Sequence, residues 1–141
     1  MADHPIIISG GSPLRIQHDS WHPQDDHTLG TGVHANTVTR VDVISEAGAL
    51  PTIFFKGEQL ELQLTYGNIH LNVSTDQNGQ KPVVKFDGET SLKKHFRQKD
   101  AHTHESVKDD GSVRDLALRQ GGVDQPLGAL SGHTEIVIHY E

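Results

Sequence analysis

Strict period-two alternation over residues 59–65 and 68–74 constrains this chain more than any other feature. In the first run Leu60, Leu62 and Leu64 alternate with Glu61 and Gln63. In the second, Ile69, Leu71 and Val73 alternate with His70 and Asn72. Successive side chains of a strand point to opposite faces, so each run reads as a strand with one apolar face and one wet face. A helix would not keep either set on a single side. Tyr66-Gly67-Asn68 then forms a short hairpin loop between the two runs. Asn78-Gly79 marks a second turn, because both residues tolerate positive φ. Residues 81–86 read as the third strand of a meander, with Pro82 at its beginning or on an edge.

The rest of the chain carries the same signal less sharply. Thr134, Ile136, Ile138 and Tyr140 share one face of a final strand, opposite His133, Glu135, Val137 and His139. Residues 5–9, 14–17, 37–45, 52–56 and 112–118 read as further strands. Gly10-Gly11-Ser12-Pro13 and Gly121-Gly122 supply turns. Residues 90–99 fit one short helix, with Leu92 and Phe96 on one side at i, i+4. Residues 19–36 are polar and show no period, so they read as a long loop. Seven to nine short strands imply an all-β fold: an antiparallel β-sandwich, of which the jelly roll is one form, with at most one short helix. The length suits one domain over residues 1–141. About a quarter of the chain is Leu, Ile, Val or Phe, above the roughly 20% below which disorder becomes the better expectation.

Charge and cysteine content narrow the function classes. The net charge is −7 with histidine neutral. A nucleic-acid partner is disfavoured, because phosphate binding needs a concentrated basic surface. Lys93, Lys94, Arg97 and Lys99 form a basic cluster, and acidic residues flank it. An anionic membrane surface is disfavoured for the same reason. No apolar run is long enough to span a bilayer. The start of the chain lacks the positive charge and apolar length of a signal peptide, so a cytoplasmic or otherwise intracellular location is expected. There is no cysteine, which removes disulfides, thiolate metal sites and cysteine nucleophiles together.

Eleven histidines are the most unusual count. His18, Asp19, His22, Asp25, Asp26, His27 and His34 fall in the long polar stretch. Imidazole and carboxylate together suit zinc, iron, nickel or manganese. A divalent transition metal is therefore the cofactor to consider, with His18, His22 and His27 as ligands helped by Asp25 or Asp26. A second group is His102-Thr103-His104-Glu105. On a strand, His102 and His104 would point the same way, as two ligands of one metal must. The same tetrapeptide read without regard to metal is an exposed loop. A third group is the wet face of the best strands, where His70, Asn72, Glu135 and His139 could form a polar patch.

The order His102-x-His104, then Pro126-Leu127-Gly128, then His133 resembles the cupins, which are jelly rolls carrying a His-x-His pair and a later Gly-, Pro- and His-containing motif. The resemblance implies a metal-dependent enzyme with histidine ligands. The chain departs from the pattern at Glu105, which is adjacent to the pair rather than several residues later, and in the longer spacing from Gly128 to His133. No phosphate loop, nucleophile elbow or His-Glu-x-x-His is present.

The reading that follows from the residues is a small β-sandwich that acts as a binding or assembly module. Loops at one end of the sandwich contact a small molecule, a carbohydrate or a protein partner. A cupin-like metal-dependent enzyme is the alternative, and a homo-oligomer joined through sheet edges or faces is a third. Charge alone generates one test. Protonating every histidine would carry the net charge from −7 to +4. Repulsion between molecules then vanishes near the sequence pI of about 5.8. Light scattering against pH at fixed ionic strength should show a solubility minimum between roughly pH 5.5 and 6, and a flat profile would contradict it.

Overall fold

The computed structural model describes residues 4–31, 37–46, 48–49, 53–54, 56–108, 113–120, 122–128 and 133–141. In chain order the strands are β1 (Ile6–Ser9), β2 (Arg15–Gln17), β3 (His22–Asp25), β4 (Thr28–Gly30), β5 (Val38–Ser45), β6 (Gly48–Ala49), β7 (Ile53–Phe54), β8 (Leu60–Tyr66), β9 (Ile69–Ser74) and β10 (Val83–Phe86). A single helical turn, α1 (Leu92–His95), precedes β11 (Phe96–Gln98) and β12 (Thr103–Ser106). The strands β13 (Val113–Gln120), β14 (Val123–Gly128) and β15 (Thr134–Tyr140) complete the chain.

Two antiparallel sheets result. The first runs β11-β12-β2-β1-β15-β5-β6, with β7 also on β5. The second runs β14-β13-β8-β9-β10-β4-β3. The fold is an all-β sandwich, and its strands among the described residues outnumber the seven to nine expected.

The alternating runs behave as strand chemistry requires. β8 and β9 pair with Leu62 opposite Val73 and Leu64 opposite Leu71. β13 continues the register, with Leu118 opposite Leu62 and Leu116 opposite Leu64. On the first sheet Ile8 faces Ile16 and Ile136, and Ile138 faces Val41. All of these side chains join one buried apolar cluster. Pro82 stands just before β10, which is an interior strand between β9 and β4. The proline therefore removes no ladder bond. Gly79 has φ +71°, and a Cβ there would lie 2.6 Å from the Glu58 carbonyl oxygen. The turn therefore needs glycine for space as well as for φ.

Two expectations are corrected. Residues 19–36 are not irregular throughout: β3 and β4 form a hairpin inside them, with His22 opposite Gly30. β4 is recruited by β10, pairing Leu29 with Val84 and burying Leu29. Residues 32–36, including His34, lie outside the described residues. The helix expected over 90–99 is one turn only. Ser91 caps it, Phe96 closes it in extended conformation, and the chain continues as β11. Leu92 and Phe96 nevertheless both pack on the core. The strand expected over 52–56 is described only as Ile53–Phe54, and Ser112 lies outside the described residues.

Leu62 is fully buried between neighbours on both sides. Leu62→Ala should cost on the order of 2–5 kcal/mol, as large-to-small core changes do. Urea unfolding of the two proteins measures this directly, and a cost below about 1 kcal/mol would place Leu62 outside the packed core.

Candidate functional site

One end of the first sheet gathers residues from four distant segments. β1 begins there, β2 and β15 end there, and β12 begins there. His4 precedes β1, His18 and Asp19 follow β2, His102 precedes β12, and Tyr140 closes β15. Antiparallel pairing brings these ends together although the residues are up to 136 positions apart.

The centre of the group is Asp19. His4 Nδ1 lies 3.0 Å from Asp19 Oδ2, and His18 Nε2 lies 3.2 Å from Asp19 Oδ1. His102 Nδ1 lies 2.9 Å from the Asp19 carbonyl oxygen. The hydrogen bond with His4 holds the Asp19 carboxyl below its usual range, aided by the nearby His18 ring.

His18 is buried below this carboxylate. Its Nδ1 is 3.2 Å from the Pro5 carbonyl oxygen, and its Nε2 is 2.7 Å from Tyr140 Oη. A neutral imidazole has one N–H. It can donate to Pro5 or toward Asp19, but not to both. Burial lowers the His18 pKa, while the Pro5 carbonyl and Asp19 pull it upward. Trp21 packs edge-on against both His18 and His104, at ring-centroid distances of 5.3 and 5.9 Å. Its indole N–H donates to the His102 carbonyl oxygen at 2.9 Å.

His104 and Glu105 take opposite sides of β12. His104 shares the inner side with Ile16, its partner across β2. Its Nδ1 is buried and finds no hydrogen-bond partner among the described residues. Desolvation lowers its pKa, with Asp100 opposing weakly. Glu105 pairs with Arg15 and is also buried. Arg15 Nε approaches it at 2.8 Å, Arg97 at 3.3 Å and Lys99 at 3.8 Å. The Arg15 hydrogen bond holds the Glu105 carboxyl below its ordinary range. Two members of the basic cluster are thereby committed to a carboxylate of the same chain.

The expected exposed loop at His102-Thr103-His104-Glu105 is thus wrong for most of its length, since Thr103–Ser106 is a strand with all four residues buried. His102 and His104 do not share a strand face: the strand starts between them, leaving His102 exposed and His104 in the core. His133 stands near Gly11, at the end of the sheet opposite His102. The remaining candidate ligands lie on the β3–β4 hairpin. His22 is exposed on β3. Asp25 Oδ1 accepts from the His27 backbone N–H at 2.7 Å. Asp26 Oδ1 accepts from the Lys93 backbone N–H at 2.9 Å and so ties the hairpin to α1, which lowers its pKa. His27 Nδ1 is 2.9 Å from the Thr90 carbonyl oxygen. Among the described residues no three His, Asp or Glu side chains converge as a metal ion would require. The suggested patch of His70, Asn72, Glu135 and His139 is divided, because β9 and β15 belong to different sheets.

Beside the Asp19 group the surface opens into a depression of about 400 Å³ lined by Pro5, Ile7, Gln17, His18, Asp19 and His102. Of these, His18, Asp19 and His102 stand out in the sequence as metal candidates. His4, Trp21 and Tyr140 were missed as site residues. Tyr140 sits on the apolar face of β15, where a core role is the natural reading. Compared with protein-family models, curated proteins and solved structures, the chain gives no match. Among the described residues no helix is long and apolar enough to cross a membrane.

His18 and His104 generate a pH test. Their folded pKa values lie below the ordinary 6.5. Below pH 6.5 the unfolded chain therefore binds more protons than the folded one, and stability falls until the folded values are passed. Well above pH 6.5, where both states are deprotonated, neither group contributes a slope. His104→Leu removes one of the two and fills the same apolar surroundings. Its urea midpoint should fall less between pH 7.5 and 5.5 than that of the wild type. Equal falls would mean that His104 is not desolvated.

Proposed function

We propose that this protein is a recognition module whose contact surface is the end of the first sheet around Asp19. The observation that carries this reading is the depression itself. It joins an apolar floor, Pro5 and Ile7, to polar groups converging from Gln17, His18, Asp19 and His102. Small-molecule sites commonly have this composition, with a few placed polar groups fixing orientation over apolar contact. The polar groups are also fixed from behind. Tyr140 and Pro5 hold His18, Trp21 holds the His102 carbonyl, and His4 holds Asp19. Such support gives a site its precision. The partner is a small molecule, a carbohydrate or an exposed group of another protein.

Amide chemical shifts of labelled protein, recorded against a panel of small molecules and saccharides, test the reading. Ligands should move the Ile7, Gln17, Asp19 and His102 resonances together. Gln17→Ala should weaken them several-fold without changing the thermal midpoint. Ligands that shift only the outer face of the second sheet would refute the assignment.

A further inference from the structure

The depression also indicates which chemistry it accepts. We propose that its ligand is a primary alkylammonium group, with the cation against Asp19 and the hydrocarbon stem over Pro5 and Ile7. This inference rests on the reading of the depression as a contact site.

Among the described residues, Asp19 is the one lining residue with a formal charge when histidine is neutral. Its side chain is 58% exposed. His4 and His18 each approach one of its oxygens. A carboxylate has about four lone-pair sites, so acceptor capacity remains for an incoming N–H donor. An anion would meet this carboxylate unfavourably. A neutral hydroxyl would gain a weaker interaction, because its bond to the carboxylate is charge-assisted by the acceptor alone, whereas an ammonium adds the attraction of opposite charges. The net charge of −7 draws cations toward the protein as a whole.

The stem has a surface as well. Ile7 pairs with Val137 across β1 and β15 on the outer face of the first sheet. Val137 is buried beside it, so the exposed apolar floor is Pro5 and Ile7. An alkyl chain laid there stays in contact with hydrocarbon while its ammonium reaches Asp19.

Proton competition follows from the same geometry. The groups facing Asp19 are His4 from the start of β1, His18 from the end of β2 and His102 from the β11–β12 loop, with the Tyr140 hydroxyl behind His18. Asp100 stands beside His102, accepting from its backbone N–H. Protonating His18 and His102 would change the charge of the lining from one negative to one positive, and protonating His4 would add a third cation beside Asp19. A bound ammonium would be expelled as that happens.

The test compares hexylammonium, hexanol and hexanoate by amide shifts of Ile7, Gln17, Asp19 and His102 at pH 7.5. Hexylammonium should bind at least about tenfold more tightly than hexanol, with hexanoate weakest. Asp19→Asn should reduce hexylammonium to the affinity of hexanol. Lowering the pH to 5.5 should weaken hexylammonium and leave hexanol unchanged. Nα-acetyl-lysine methylamide separates the sources of the group: matching hexylammonium points to a lysine side chain of a peptide, and failing to match points to a free amine. Hexanol or hexanoate binding as tightly as hexylammonium at these amides would overturn the cation and leave the contact site standing. No shift at these amides with any probe would overturn both. If Asp19→Asn does not fold, the ratio of hexylammonium to hexanol in the wild type decides the matter alone.

Discussion

The burial of two apolar sheet faces against each other is the interaction on which the remainder of this structure depends. Neither sheet could be stable alone, because each presents a row of Ile, Leu and Val on one side. β15 shows how closely the core and the candidate site are joined. It lies between β1 and β5 in the first sheet and turns Thr134, Ile136, Ile138 and Tyr140 inward. The last of these ends at the ring of His18. The strand that packs the core therefore also anchors the polar group.

Most polar groups taken into this interior follow one rule. Burying a charge or a hydrogen-bonding group is costly unless partners replace water. Glu105 meets the rule with three cations, and Trp21 and Tyr140 meet it with a carbonyl and an imidazole. His104 is an exception, as are Asn72 and Thr134: each has a buried polar atom that finds no partner among the described residues. His104 lies two residues along the chain from His102, against the indole that supports His102. The site thus rests on a layer that is polar, largely satisfied and sensitive to protons.

Much of the sandwich was legible because its best strands alternate cleanly. Leu60, Leu62 and Leu64 admit one arrangement, and the register with Val73 and Leu71 follows from the short loop at Gly67-Asn68. The β3–β4 hairpin was not legible. Its sequence offers Leu29 as a buried apolar side chain among polar residues and a proline, and its strand character depends on pairing with β10. β12 was hidden for a related reason. Thr103, His104, Glu105 and Ser106 read as a wet loop, because nothing local shows that Arg15, Arg97 and Lys99 will neutralise Glu105.

The sequence by itself determined an all-β chain, its central meander, its final strand and a surplus of histidines. Those are consequences of local periodicity, turn chemistry and composition, which act over a few residues. The tertiary structure alone decided which histidines meet. His4, His18 and His102 surround Asp19 because antiparallel pairing places the ends of β1, β2, β12 and β15 side by side. His22 and His27, close to His18 in sequence, are carried to the other sheet by a hairpin. Proximity along the chain places His18, His22 and His27 together, whereas strand order across the sheet brings His4, His18 and His102 together, because side chains interact through space and only the sheet sets those distances.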